Sequence, residues 1–265
     1  MNVNGKNAAL AGQRIVTTRA REQSAEFAAA LRAHGATVFE VPTIKIAPPT
    51  DRQSLADALL SLHEYDWLVF TSVNGVDCFF EYFFRAFEDL RDLGGVRIAA
   101  VGPVTAARVK ALHLMVNAMP SEALGKNVSQ ALQADGSIEN LRILLMRAEK
   151  ANPELPRLLE ALGAIVDDVA CYQTVAETED VSGDAARLLQ DGAEWITFTS
   201  GSTVEHFHAR FNLPELLRKF PAMRTASIGP ETSRALETLK LKPHLEAREH
   251  TTTGLLKAME KEARV

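Results

Sequence analysis

Cysteine is nearly absent. The 265 residues include only Cys78 and Cys171, which form no Cys-x-x-Cys metal turn. In a reducing compartment such thiols act as small apolar fillers, so neither a disulfide nor a metal centre is expected. No run of about eighteen apolar residues occurs, so no membrane-spanning helix is expected. The first residues, Met1 to Gly12, lack an apolar stretch of secretory length, and the chain reads as cytoplasmic. Without a secretory route the Asn127-Val128-Ser129 sequon carries no information. Positive charge is not in excess either. The net charge is −5, which argues against broad nucleic-acid binding because phosphate neutralisation needs a cationic surface. A small anionic ligand held by a local site stays open. No glycine lies between Arg19 and Gly35, so the Gly-x-Gly-x-x-Gly turn of a dinucleotide fold is missing, as is a Walker lysine motif. No cofactor is therefore assigned. His206 and His208 are two apart on an expected helix and point in different directions, which is poor metal geometry.

What the chain does have is a hydrophobic content of 46%, enough to bury real cores, and a repeat. The apolar run from Arg14 to Ala20 matches that from Arg142 to Ala148, placing Arg19 and Arg147 at an offset of 128. Each run reads as a buried strand. Amphipathic helices follow over Glu22 to His34 and Pro153 to Leu162, stopping at Gly35 and Gly163, where a C-terminal glycine can take a positive φ. The next strands are Ala36 to Val41 and Ala164 to Val169. Trp67 to Ser72 then matches Trp195 to Ser200 at the same offset, and Ile98 to Pro103 matches Thr225 to Pro230 one residue short of it. Helices around Val128 to Leu132 and Leu255 to Met259 close the two copies. Strands alternating with helices predict parallel sheets covered on both faces. The fold class is therefore α/β, with two similar parallel-sheet domains. The pattern leaves open whether each copy folds on itself or exchanges its opening βα unit with the other.

Ligands of open α/β sheets bind outside the carboxyl ends of the strands, where helices begin. Every repeated hydroxyl motif lies there. Ser72 and Ser200 stand at expected N-caps, and Pro103 and Pro230 at first helical positions. Capping alone would account for any one of them. Four such turns, together with Thr251 to Thr253, could instead face one cleft and hold carboxylates or phosphates on backbone N–H groups. One polar residue breaks the repeat: Tyr172 has Ile44 as its counterpart. An ordinary strand tyrosine is the simplest account of it.

Phe70-Thr71-Ser72, Val101-Gly102-Pro103, Val169 through Cys171-Tyr172-Gln173-Thr174, Phe198-Thr199-Ser200 and Ile228-Gly229-Pro230 through Leu236 resemble the uroporphyrinogen-III synthase family. Each motif is short, but their order covers the chain from Arg14 to about Met259. The resemblance implies two flavodoxin-like domains, an internal duplication, joined by a two-stranded connector. Residues 1–35 with 177–265 would form one domain, 48–163 the other, and 36–47 and 164–176 the connector strands. It also implies a cleft gripping the acetates and propionates of hydroxymethylbilane, and cyclisation with water loss and inversion of the terminal ring through a spiro intermediate. Carried over by position, Ser72, Thr105, Ser200 and Thr232 match the family's cleft hydroxyls, and the implied substrate-binding set adds Arg19, Thr71, Gly102, Arg147, Gly201, Ser202 and Gly229. Tyr172 is the implied catalytic residue. Glu231 departs from a hydroxyl found in some relatives. The segment Ala148 to Asn152 departs from a glycine-bearing one, which bears on the contacts of Arg147 and Lys150. The partner implied is the small-molecule substrate alone, on a monomer, with no nucleic acid or membrane. The alternatives are a non-catalytic two-domain binding or sensor protein for a small polyanion, or a regulator that keeps the fold for protein contacts.

Overall fold

The computed structural model describes residues 9–120, 122 and 125–263. The chain opens with β1 (Arg14–Thr17), α1 (Arg21–Ala33), β2 (Thr37–Glu40) and β3 (Ile44–Ala47). It continues through α2 (Arg52–Leu60), β4 (Trp67–Phe70), α3 (Val73–Ala86), β5 (Arg97–Ala100), α4 (Pro103–Lys110) and α5 (Gly125–Leu132). Next come β6 (Arg142–Ala148), α6 (Glu154–Ala161), β7 (Ile165–Ala176), α7 (Asp184–Asp191), β8 (Trp195–Phe198), α8 (Gly201–Phe211) and α9 (Leu213–Lys219). It ends with β9 (Arg224–Ser227), α10 (Pro230–Thr238), β10 (Leu245–Glu246) and α11 (Thr252–Glu262).

Two compact units result, one from Met1–Lys45 with Val175–Val265, the other from Ile46–Thr174. The first holds the sheet β10-β9-β8-β1-β2, all of whose pairings are parallel. Numbered within the unit this is the order 2-1-3-4-5, that of a doubly wound flavodoxin-type sheet. The second unit holds β3-β7-β6-β4-β5, with β7-β6-β4-β5 parallel and a single parallel bridge from Ala99 to Ala118 beyond β5. Its parallel strands repeat the same spatial order with β6 and β7 arriving last along the chain. Each sheet thus takes its β1-like and β2-like strands from one copy of the sequence repeat and its remaining parallel strands from the other.

Side-chain alternation puts cores on both faces of each sheet. Leu68 and Phe70 of β4 join Phe79, Phe80 and Phe83 of α3, while Trp67 and Val69 face Val128, Leu132 and Leu159. Val16, Ile196 and Phe198 pack beneath α8, whereas Ile15 and Trp195 pack beneath α1 and α11. At the amino ends of β4 and β8 the two tryptophans carry arginines over their faces, Arg97 at 4.4 Å from the Trp67 ring and Arg224 at 4.0 Å from Trp195. The helix stops expected at Gly35 and Gly163 are present, with φ of 89° and 84°. There the absence of Cβ lets the chain turn back into β2 and β7.

The sequence expectation of connector strands over 36–47 and 164–176 differs from what is observed. Thr37–Glu40 lies inside the first sheet, paired with β1, and Ile165 to Ala170 is paired along β6 in the second. Only the stretches around Lys45–Ile46 and Thr174–Val175 carry the chain from one unit to the other. Hydrophobic alternation alone could not separate a sheet strand from the extended chain that continues it.

Candidate active site

The expected turns all form at carboxyl ends of parallel strands. Ser72, in extended geometry, caps α3 by accepting from the Gly75 N–H at 3.0 Å. Ser200 caps α8 through a capping box with Thr203, and its Oγ lies 2.9 Å from that of Ser202. Thr251 caps α11 by accepting from the Gly254 N–H at 2.9 Å. Gly102 and Gly229 precede α4 and α10, whose first residues are Pro103 and Pro230 and which have no side-chain cap. The first free N–H groups of those two helices therefore depend on backbone geometry or a ligand.

Tyr172 reaches this layer in the second unit. The residue is 6% exposed, and its Oη lies 3.0 Å from Ser72 Oγ. Its position follows from a register shift: Arg147 pairs with Ala170 but Ala148 pairs with Tyr172, so Cys171 is an extra residue in β7. Such bulges re-aim the side chains around them. The Cys171 thiol, fully buried, turns toward the carbonyls of Gly75 and Arg147. Burial holds the Tyr172 phenol above its ordinary pKa, while hydrogen bonds from Ser72 and Asn74 pull the other way. Asn74 was missed in the sequence, because a polar residue in the first helical turn has no signature there; only the fold brings it to Tyr172. Gly75 is equally local to the site, since a Cβ on it would stand 3.0 Å from the Met146 carbonyl and 3.4 Å from Ser72 Oγ.

Other expected site residues are placed differently. The Arg147 guanidinium is buried and engaged, Nε donating to Asp168 Oδ1 at 2.8 Å, Nη2 to Asp168 Oδ2, and Nη1 to the Asn152 carbonyl at 2.7 Å. This is an ion pair between the neighbouring strands β6 and β7. Thr105 and Thr232 are largely buried, 5% and 2% exposed, at the first turns of α4 and α10. Glu231 is solvent-exposed, and Thr71, Gly201 and Ser202 are half-buried beside their caps. Arg19 is half-buried, donating to the Gln23 carbonyl at 3.1 Å and to Gln23 Oε1 at 3.4 Å. Burial raises the Cys78 thiol to about 11, so it is no thiolate nucleophile at neutral pH. Among the described residues no group of three or more His, Cys, Asp or Glu could hold a metal ion, and no helix is long and apolar enough to cross a membrane.

A family model described as uroporphyrinogen-III synthase HemD matches residues 25–257. The chain belongs to the uroporphyrinogen-III synthase family. Among relatives, the uroporphyrinogen-III synthase of Synechococcus elongatus is 32% identical over 259 residues, covering 96% of this chain and 97% of that protein. A putative uroporphyrinogen-III synthase of Methanothermobacter thermautotrophicus is 32% identical over 235 residues, with 84% and 88% covered. Among solved structures, a mutant uroporphyrinogen III synthase of Thermus thermophilus superposes with a TM-score of 0.64 at 20% identity, over 96% of this chain and 99% of that one. Uroporphyrinogen-III synthetase from Helicobacter pylori gives 0.60 at 16% identity, over 92% and 97%. These two likenesses establish the α/β fold with its parallel sheets as that of the uroporphyrinogen-III synthases.

Proposed function

We propose that the chain cyclises hydroxymethylbilane to uroporphyrinogen III, with loss of water and inversion of the terminal pyrrole, and that Tyr172 is its one general acid. Family membership supports the reaction. The observation that carries the residue assignment is the 3.0 Å contact between Tyr172 Oη and Ser72 Oγ at the start of α3. The Gly75 N–H donates to Ser72 Oγ. With the Ser72 hydroxyl donating onward to Tyr172 Oη, the phenolic proton is free to point at the substrate's leaving hydroxyl. Burial keeps that proton in place across the neutral range.

The leaving hydroxyl departs as water, and the pyrroles stabilise the resulting azafulvene cation. The substituted carbon of the terminal ring attacks it, and the spiro-pyrrolenine so formed opens and recloses with that ring inverted. Because the substrate stabilises its own cation, the protein's task is to hold a near-attack geometry and exclude direct closure. A phenol is a weak acid, so its contribution is about 10 to 100-fold, at or below the low end of general acid catalysis. The carboxylates are assigned to the helix starts at Thr71-Ser72, Gly102, Ser200 to Ser202 and Gly229, with the N–H groups near Thr105 and Thr232. The matching strand orders support a duplicated α/β half whose opening strands are exchanged, with β3 and β7 as connectors.

The test is to mix the protein with freshly made hydroxymethylbilane and separate the isomers after oxidation. Type III product is expected. Type I alone, the spontaneous product, would refute the proposal and leave the binding-only reading, which no observation otherwise favours.

A further inference from the structure

The two copies of the repeat part company after their first strands. In the first unit β1 ends at Thr17 and α1 begins at Arg21, whereas in the second β6 runs to Ala148 and α6 begins only at Glu154. The counterpart of Arg21 is Glu149 (149 − 128 = 21), so the second copy starts its helix five residues late (154 − 149 = 5). The residues released in this way carry the strand pairing past the bulge at Cys171. Ala148 pairs with Tyr172, and the Glu149 N–H donates to the Tyr172 carbonyl at 2.8 Å. Tyr172 is thereby held on one side by that bond and on the other by the Cys171 thiol, which turns toward the Arg147 carbonyl.

Glu149 is fixed in turn. The residue is exposed, yet both its carboxylate oxygens are engaged, Oε2 accepting from the Thr50 N–H at 2.9 Å and Oε1 from the Thr50 hydroxyl at 2.8 Å. Those two bonds hold the Glu149 carboxyl below its ordinary pKa, so the charged form is the acceptor at neutral pH. Beside it, Gln173 Nε2 donates to the Pro48 carbonyl at 2.8 Å. The segment Pro48-Pro49-Thr50 therefore grips one residue across the ladder from Tyr172 and the residue that follows it. Proline fixes φ and offers no N–H, so Thr50 is the first backbone donor of a stiff bracket. Asp51 closes the bracket by capping α2, accepting from the Ser54 N–H at 3.0 Å. In the first unit Arg21 instead reaches Glu177 and the Glu179 carbonyl, and Ile44, the counterpart of Tyr172, has no polar side-chain group to aim.

We infer that Glu149 is a positioning residue for the cyclisation, holding the Tyr172 hydroxyl in line through its own backbone N–H while Thr50 holds Glu149. This rests on the reading of Tyr172 as the general acid. A bulge leaves its extra residue out of the ladder, so the chain around it has slack that the ladder does not take up. A displacement of about 1 Å at a reacting group is enough to cost rate. Because Tyr172 acts on the leaving hydroxyl and not on the carboxylates, the latch bears on kcat and leaves ground-state binding alone.

The test is steady-state kinetics with fresh hydroxymethylbilane on the full chain, with isomers separated. Glu149→Ala is expected to lower kcat about three- to tenfold, the range of one net hydrogen bond, with KM kept and a larger type I fraction. Glu149→Gln, whose amide oxygen still accepts from the Thr50 N–H, should recover most of the loss, and Thr50→Val, which removes only the hydroxyl, should lose about twofold. In a Tyr172→Phe background Glu149→Ala should cost nothing further, because a residue that acts through the phenol falls silent once the phenol is gone. Unchanged kcat in Glu149→Ala, or the same fold loss in both backgrounds, would overturn the inference and leave Tyr172 in its role. Full rate in Tyr172→Phe would overturn the reading of Tyr172 and this inference with it.

Discussion

At the scale of single residues, the proposed mechanism places the chemistry on the hydroxyl pair of Tyr172 and Ser72, 3.0 Å apart, rather than on a strong acid. Tyr172→Phe removes only the phenolic oxygen, so the ring's packing stays and the proton is lost. A drop in kcat of about 10 to 100-fold with more type I product is expected, measured by stopped assays on fresh substrate. A Phe variant with full rate and pure type III product would show that Tyr172 merely lines the site. The pH dependence has a definite sign. In the proposed mechanism the active form is the protonated phenol, and burial raises its pKa above the ordinary value near 10. Enzymatic type III formation should therefore show no alkaline loss from this group between neutrality and about pH 10.

Secondary-structure elements set where those residues stand. Ser200→Ala removes the capping-box oxygen of α8 and should cost about 1 kcal/mol, a fall in Tm of roughly 2–4 °C at this size. Gly75→Ala should lower type III output more than it lowers Tm. Alanine suits a helix better than glycine, but its Cβ presses on a backbone carbonyl at 3.0 Å and on the Ser72 hydroxyl. Strand β1 is fastened at its start by Glu194, which accepts from the Arg14 N–H at 2.6 Å and from its Nε and Nη2 at 3.2 and 2.7 Å. The side-chain hydrogen bond from Arg14 holds the Glu194 pKa below its ordinary value. A depressed carboxylate stabilises fully above its unfolded pKa of about 4.3 and ceases to do so as pH falls through the folded value. Glu194→Gln should thus melt below wild type at pH 7, with the gap closing in strong acid.

For the whole molecule, the exchange of strands between the copies of the repeat makes a prediction about fragments. Residues 46–174 contain β4 to β6 and β7 as far as Thr174, including every β7 residue paired in parallel with β6, in one contiguous stretch. That fragment should unfold cooperatively when followed by circular dichroism. A fragment cut along the sequence repeat, from Arg14 to Leu141, is nearly the same length but separates β4 from β6 and β1 from β8. It should not fold. Equal cooperativity of the two fragments would contradict the strand order.

By itself the sequence determined the α/β class with its parallel sheets and the positions of the capped turns. These depend on local periodicity and on glycine, proline and hydroxyl chemistry within a few residues. It also pointed to Tyr172, though only as a break in the repeat and through a family likeness. Tertiary structure decided which opening strand joins which sheet, that the bulge at Cys171 brings Tyr172 to Ser72 and Asn74, and that Arg147 is ion-paired with Asp168 while Arg19, among the described residues, bonds to Gln23 and to no carboxylate. Those outcomes turn on contacts between residues far apart in the chain, such as Asp168 reaching Arg147 from the next strand while Glu40 turns to Arg32. Two arginines in matching sequence positions acquire different chemistry because their neighbours across the sheet point different ways.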